Sequence, residues 1–218
     1  MPTRLREPSL LPLRPSRLHR SRGLALLVAL ALLLAPGPSV ATTGPRTVIQ
    51  QTVDDVLAIL RDDTRSEEQR RAELEAIAHA RFDFQTMARL VLARSWKKLS
   101  DEQQGQFVDE FTQYLANDYG QRLERYEQES VEVLGEQSKT RGDVVVKSRI
   151  VGGDQSGAEI DYRLRERDGA WRIIDVVIEG ISLVANFRDQ FREVMGRDGP
   201  DVLLDRLREK NAKGETTL

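Results

Sequence analysis

A chain of 218 residues, 39% apolar and 31% charged, has the composition of one globular domain with a real core, or at most two small ones. It contains no cysteine, which excludes disulfide staples, thiolate metal sites, a cysteine nucleophile and the cysteine acylation that anchors a bacterial lipoprotein. Of its 33 Lys and Arg and 35 Asp and Glu, six Arg and one acid (Glu7) precede Thr42, which leaves 27 basic against 34 acidic residues and a formal charge of −7; that balance, with no interleaving of aromatic and basic residues, argues against a nucleic-acid partner.

The first forty residues read as an address. Arg4, Arg6, Arg14, Arg17, Arg20 and Arg22 form a basic region, and an unbroken apolar run from Gly23 to Ala35 follows. As a helix that run would span roughly 20 Å at ~1.5 Å per residue, short of a ~30 Å hydrocarbon core. Pro36-Gly37-Pro38 and the small residues of Ser39-Val40-Ala41 complete the pattern of a secretory signal cleaved after Ala41. The expected domains are thus a signal peptide over 1–41 and a single α+β domain over 42–218, with a periplasmic location.

Arg46 to about Tyr126 has a helical period. Val48, Val53, Val56, Leu57 and Leu60 suit one amphipathic helix, and Leu74, Ile77 and Ala78 a second that opens at Ser66-Glu67-Glu68. A third begins near Asp83, with Met87, Leu90 and Val91 on one face. Ser100 and Gln103 form a capping box for a fourth, whose stripe is Phe107, Phe111, Tyr114, Leu115, Tyr119 and Leu123.

Beyond Tyr126 the period becomes that of strands. Val131 to Leu134 and Val144 to Ile150 are β-rich, and in Ala158 to Arg165 apolar and charged residues alternate, so one face is dry and the other wet. Asp168-Gly169 is a hairpin signal before the strand Ala170 to Glu179. Ser182 caps a helix carrying Leu183, Val184, Phe187 and Phe191, and Gly196 to Pro200 breaks it before a last helix from Asp201 to about Lys210. The layout predicts an α+β fold, helices packed on one twisted antiparallel sheet of about four strands.

Groups suited to catalysis are scarce. The histidines are His19, in the signal region, and His79, too few for the usual metal clusters. The sequence holds no GxSxG, GxxxxGK[ST] or GxGxxG motif. Asp175 stands out within Ile173-Ile174-Asp175-Val176-Val177-Ile178, because a carboxylate there is costly unless paired. Two readings remain open: a base in a dry cavity with a raised pKa, as in cone-shaped α+β isomerases, or an anchor for backbone amides or a neighbouring Arg.

Three stretches together carry a resemblance: Leu92-Ala93-Arg94-Ser95-Trp96 with the following LSDEQQGQFVDEFTQYLANDYG, Asp168 to Gly180 (DGAWRIIDVVIEG), and Ile181 to Phe191 (ISLVANFRDQF). In this order they resemble the periplasmic phospholipid-binding carriers of the Mla lipid-transport pathway, the toluene-tolerance family, over roughly Val48 to Asn211. Ala93 departs from the pattern, standing where glycine is common. The resemblance implies a soluble, monomeric carrier that exchanges glycerophospholipid with an outer-membrane lipoprotein–porin complex and an inner-membrane ABC transporter bearing an MCE-domain subunit, and so maintains outer-membrane lipid asymmetry. It implies no cofactor or metal, with phospholipid as cargo, and acyl tails held between sheet and helices.

Alternation supplies one expected wall of that cavity: Val144, Val146 and Ile150; Ile160, Tyr162 and Leu164; Val176 and Ile178. The stripes Phe107, Phe111, Tyr114, Leu115 and Leu183, Val184, Phe187, Phe191 are the expected other wall. A solid core built from the same residues fits the pattern too, and would suit an envelope adaptor. Arg94 and Arg188 could meet a phosphate, a partner or only solvent.

Overall fold

Pro45 opens the first helix, α1 (Pro45–Leu60), where its missing N–H costs nothing, and the preceding Gly44 has extended backbone. The structure, a computed structural model, describes residues 43–123 and 129–215; the expected signal segment lies outside the described residues. Ser66 and Gln69 cap each other's backbone amides at the start of α2 (Glu67–Arg81), and the Asp83 carboxylate accepts from the Thr86 amide at 2.8 Å to start α3 (Phe84–Leu92). A 3-10 stretch, Ala93–Lys98, leads to α4 (Asp101–Leu123), which carries the expected box: the Gln103 amide donates to Ser100 Oγ at 3.2 Å, and the Ser100 amide to Gln103 Oε1 at 2.9 Å.

The strands β1 (Ser130–Ser138), β2 (Val144–Val151), β3 (Glu159–Arg167), β4 (Ala170–Ile178) and β5 (Ile181–Ser182) form an antiparallel meander in the order β1-β2-β3-β4-β5. The four long strands match the expected sheet; the fifth is a two-residue edge, Val177 facing Ser182 and Ile178 facing Ile181. Asp168 and Gly169, at φ 52° and 77°, make the tight turn that their dipeptide announces. The Ser182 hydroxyl accepts from the Ala185 amide at 3.0 Å and starts α5 (Leu183–Arg197). Gly199, at φ 87° and ψ −177°, breaks the path before α6 (Pro200–Lys213).

Two apolar clusters result. In the first, α3, α4, α5 and α6 pack on one another around Phe107, Phe111, Phe187 and Phe191. Phe107 stacks on Phe111 at 5.6 Å between centroids, and Phe111 meets Phe187 and Phe191 edge-on at 5.5 and 5.8 Å, geometry worth about 0.5–1.5 kcal/mol per pair beyond burial. In the second, Val48, Ile49 and Val53 of α1 lie on Val133, Val146, Leu164, Ile173 and Val176 of the sheet. Phe82 packs against both clusters.

Ahead of β2, the fully buried Asp143 carboxylate accepts from Arg163 Nε at 2.8 Å and Arg165 Nε at 2.7 Å. Burial pushes its pKa up, but hydrogen bonds from Arg165 and Arg163 and their charges outweigh burial, and the net shift is below the ordinary 3.8. A lowered folded pKa means that this contribution is complete above the usual carboxylate range and is lost as pH falls through the folded value. Asp143→Ala is therefore expected to cost about 1–3 kcal/mol at pH 7, because two guanidinium groups lose their acceptor. Urea unfolding at pH 7 and pH 3 checks this, since the gap between parent and variant must narrow at the lower pH. Phe111→Ala should cost about 3–5 kcal/mol, read from the same curves.

Candidate functional site

The dry face of the sheet presents an apolar surface that runs from β1 to β4. Register aligns its rows: Val146 faces Tyr162, Tyr162 faces Val176, Ile160 faces Ile178, and Val131 faces Ile150. Alternation puts Val144, Val146, Ser148 and Ile150 on this face of β2, with Ile160, Tyr162 and Leu164 beside them on β3. Helix α1 covers the β1–β2 side, and the start of α5 meets β4.

That cover is incomplete. Val146 and Leu164 are fully buried, Val176 and Ile150 nearly so, yet Leu57, Val131, Val144, Ile160, Tyr162, Ile178 and Leu183 stay only half-buried. Five of these gather at one end of the strands: Val131 opens β1, Ile160 opens β3, Ile178 closes β4, Leu183 follows β5, and Leu57 comes from the C-terminal half of α1. Half-covered, they make an apolar patch at this end of the helix–sheet seam, its mouth. Tyr162 sits behind it. Burial pushes its phenol up to about 12, against the opposing hydrogen bond with Ser148. Polar groups on this face are few, and the Ser148 hydroxyl is already committed to the Ile160 carbonyl at 2.7 Å.

The aromatic stripes do not oppose the sheet as expected. Phe107, Phe111, Tyr114 and Leu115 of α4 meet Val184, Phe187 and Phe191 of α5, inside the helical cluster with α3 and α6. Two aromatic stripes fill each other's gaps edge-to-face, so they satisfy their burial mutually, and the β-branched face of α1 is left to cover the sheet. Of the second stripe, Leu183 alone packs on the sheet cluster. The role of α1 was missed because its period shows a buried face but not what that face lies on.

Asp175 is resolved by its partners. Its carboxylate accepts from the Ser182 hydroxyl at 2.6 Å and from the Val184 amide at 3.1 Å. It anchors the N-terminus of α5, where backbone amides favour negative charge, and both oxygens are engaged in the fold. Among the described residues, no three His, Asp or Glu side chains converge on a metal position.

A separate recess of about 200 Å³ lies between the 3-10 stretch and α5, with Arg94, Arg188 and Arg192 above a floor of Val91, Leu92, Phe191 and Met195. Its wall includes Ala93, at φ 49° and ψ −118°. Few residues other than glycine adopt this backbone, and for alanine it costs about 1–3 kcal/mol.

With this geometry described, comparison with known proteins is direct. The MlaC family model matches residues 50–209. The chain belongs to the MlaC family. It is 26% identical over 189 residues to the toluene tolerance protein ttg2D of Pseudomonas putida, covering 83% of this chain and 85% of that one. It is 22% identical over 196 residues to the intermembrane phospholipid transport system binding protein MlaC of Haemophilus influenzae, covering 84% and 90% respectively. A phospholipid-binding protein from Ralstonia solanacearum, solved in complex with a phospholipid, superposes with a TM-score of 0.70 at 26% identity, over 78% of this chain and 97% of that one. Ala93 is the one residue lining the recess whose backbone asks for glycine. Ala93→Gly should therefore stabilise the protein by about 1 kcal/mol, the relief of strain exceeding glycine's extra chain entropy of about 0.5–1 kcal/mol; the midpoint of urea unfolding measures it.

Proposed function

We propose that this protein is a phospholipid carrier of the Mla pathway and that its cargo tails occupy the sheet-side cleft. The phospholipid-bound Ralstonia relative of the same fold supports this reading most strongly, together with the half-open apolar mouth. The chemistry is simple. Each exposed CH₂ costs about 0.8 kcal/mol, so two chains of ~15 carbons face a barrier of roughly 24 kcal/mol in water. A carrier removes it with a continuous apolar wall and few polar contacts. Val146, Ile150, Ile160, Tyr162, Val176 and Ile178 supply that wall, and tails enter where Leu57, Val131 and Leu183 surround them as α1 parts from the sheet. The head group stays at the mouth, near water. The helical aromatic cluster takes no tails in this reading; it is the frame against which the cleft opens.

Carriage of this kind needs no covalent step, and the engagement of Asp175 in capping α5 favours transport over catalysis. The basic, apolar and small-residue segments before Thr42 support a periplasmic location after cleavage at Ala41, and on this reading the working protein is a monomer that shuttles glycerophospholipid between the outer and inner membranes. Its exchange partners would be the outer-membrane lipoprotein–porin complex and the MCE-domain subunit of an inner-membrane ABC transporter.

Native mass spectrometry of protein purified without added lipid should return about one phospholipid per chain, and consistently empty protein overturns the carrier reading. Ile160→Arg, at the half-buried mouth, should stay folded by circular dichroism and lose the lipid. Val146→Asn, at a fully buried position, should instead lower stability by about 2–4 kcal/mol.

A further inference from the structure

The recess between the 3-10 stretch and α5 belongs to neither the cleft nor the core, and its chemistry differs from both. Its floor is apolar, from Val91 and Leu92 at the end of α3 and Phe191 and Met195 on α5, and its rim carries Arg94, Arg188 and Arg192. Beyond Ala41 the chain is net acidic at −7, with 27 basic against 34 acidic residues, so this grouping runs against the average of the surface.

Two of the three rim arginines have partners within the fold. Arg188 Nε donates to the Leu90 carbonyl at 3.0 Å, which ties one side of the guanidinium and leaves its terminal nitrogens available. Arg192 is positioned by an ion pair with Asp189. Arg94 is exposed and makes no ion pair or hydrogen bond among the described residues. It follows Ala93, whose unfavourable φ of 49° turns the chain between α3 and the 3-10 stretch. Just beyond, the Arg89 guanidinium lies over the Trp96 ring at 5.6 Å, and Lys97 and Lys98 are exposed.

We infer that this recess is a docking site for an acidic protein segment that inserts one apolar side chain between the three arginines. Size supports this occupant. At about 200 Å³ the recess falls below the roughly 300–1,000 Å³ typical of small-molecule sites, but it suits the single buried anchor around which interfaces concentrate their energy. Charge supports it too, since a basic rim steers an acidic partner and sets its orientation. Shape disfavours a lipid surface as occupant: the apolar groups line a hollow and do not project. The site takes only its purpose from the carrier reading, as a place where a carrier would be recognised, and its geometry is independent of bound lipid.

The test uses a fluorescein-labelled 12-residue peptide with a central Leu-Phe pair flanked by Asp and Glu, titrated with the full secreted chain and followed by anisotropy. Saturable binding is expected. It should weaken at least about tenfold in the exposed double variant Arg94→Glu/Arg192→Glu and when salt rises from about 50 to about 300 mM. Replacing Leu-Phe by Ser-Ser should weaken it at least about fivefold. No saturable binding, equal binding by the double variant, or equal binding of the Ser-Ser peptide overturns the proposal. So does a preference of the parent for phosphatidylcholine vesicles containing phosphatidylglycerol over the peptide, which assigns the patch to a membrane surface. Phospholipid content measured on the same samples keeps the two readings apart. It should match between parent and double variant; loss in the variant alone would put these arginines in the cargo site and overturn docking, whereas a parent empty of lipid bears only on carriage.

Discussion

One face of the sheet is apolar from β1 to β4, and the rest of the architecture follows from how little of the chain is assigned to cover it. A half-wet sheet can leave its charged face to water but must shield the other. Here the shielding comes from one helix, α1, through Val48, Ile49 and Val53, and from the first turn of α5. Phe82, between α2 and α3, also packs on the sheet, while the stripes of α3 to α6 bury mainly against one another. The domain thus has a largely self-sufficient helical half beside a sheet whose apolar face is half-covered at one end.

That division also sets how each half is held together. The helical cluster is locked by rings meeting stacked and edge-on, and close-packed interiors of this kind resist gradual deformation. Helix α1 contacts the sheet mainly through aliphatic side chains, with polar ties near both ends: the Arg46 amide to Glu136 Oε2 at 3.3 Å, the Arg46 guanidinium to the Val133 carbonyl at 3.2 Å, and Arg61 to the Glu129 carbonyl at 2.8 Å.

Much of this was legible in the sequence wherever a local rule decides the outcome. The Ser100–Gln103 box, the Ser182 cap, the Asp168-Gly169 hairpin and the alternation of β3 depend on neighbours within a few residues, and each stands where the pattern placed it. The two-residue β5 escaped because Glu179-Gly180, both at positive φ, forms a turn whose first residue is not a usual hairpin former. The partner of each helical stripe escaped for a different reason. Periodicity reports that Phe107 and Phe187 are buried but carries no information on whether a sheet or another helix buries them. The stripes of α4 and α5 lie in the helical cluster, and it is α1 that lies on the sheet. The strain at Ala93 had a faint signal, a departure from glycine, but only the backbone angle gives it meaning.

Asp175 has a consequence that reaches past the cap it provides. By holding Ser182 and the Val184 amide it fastens the last long strand to the helix that follows, at the edge of the sheet and beside the mouth. Both oxygens of one carboxylate are thereby spent on a single corner of the domain, so the chain cannot part there without giving up two hydrogen bonds at once, and the end of the sheet and the start of α5 must shift as one piece.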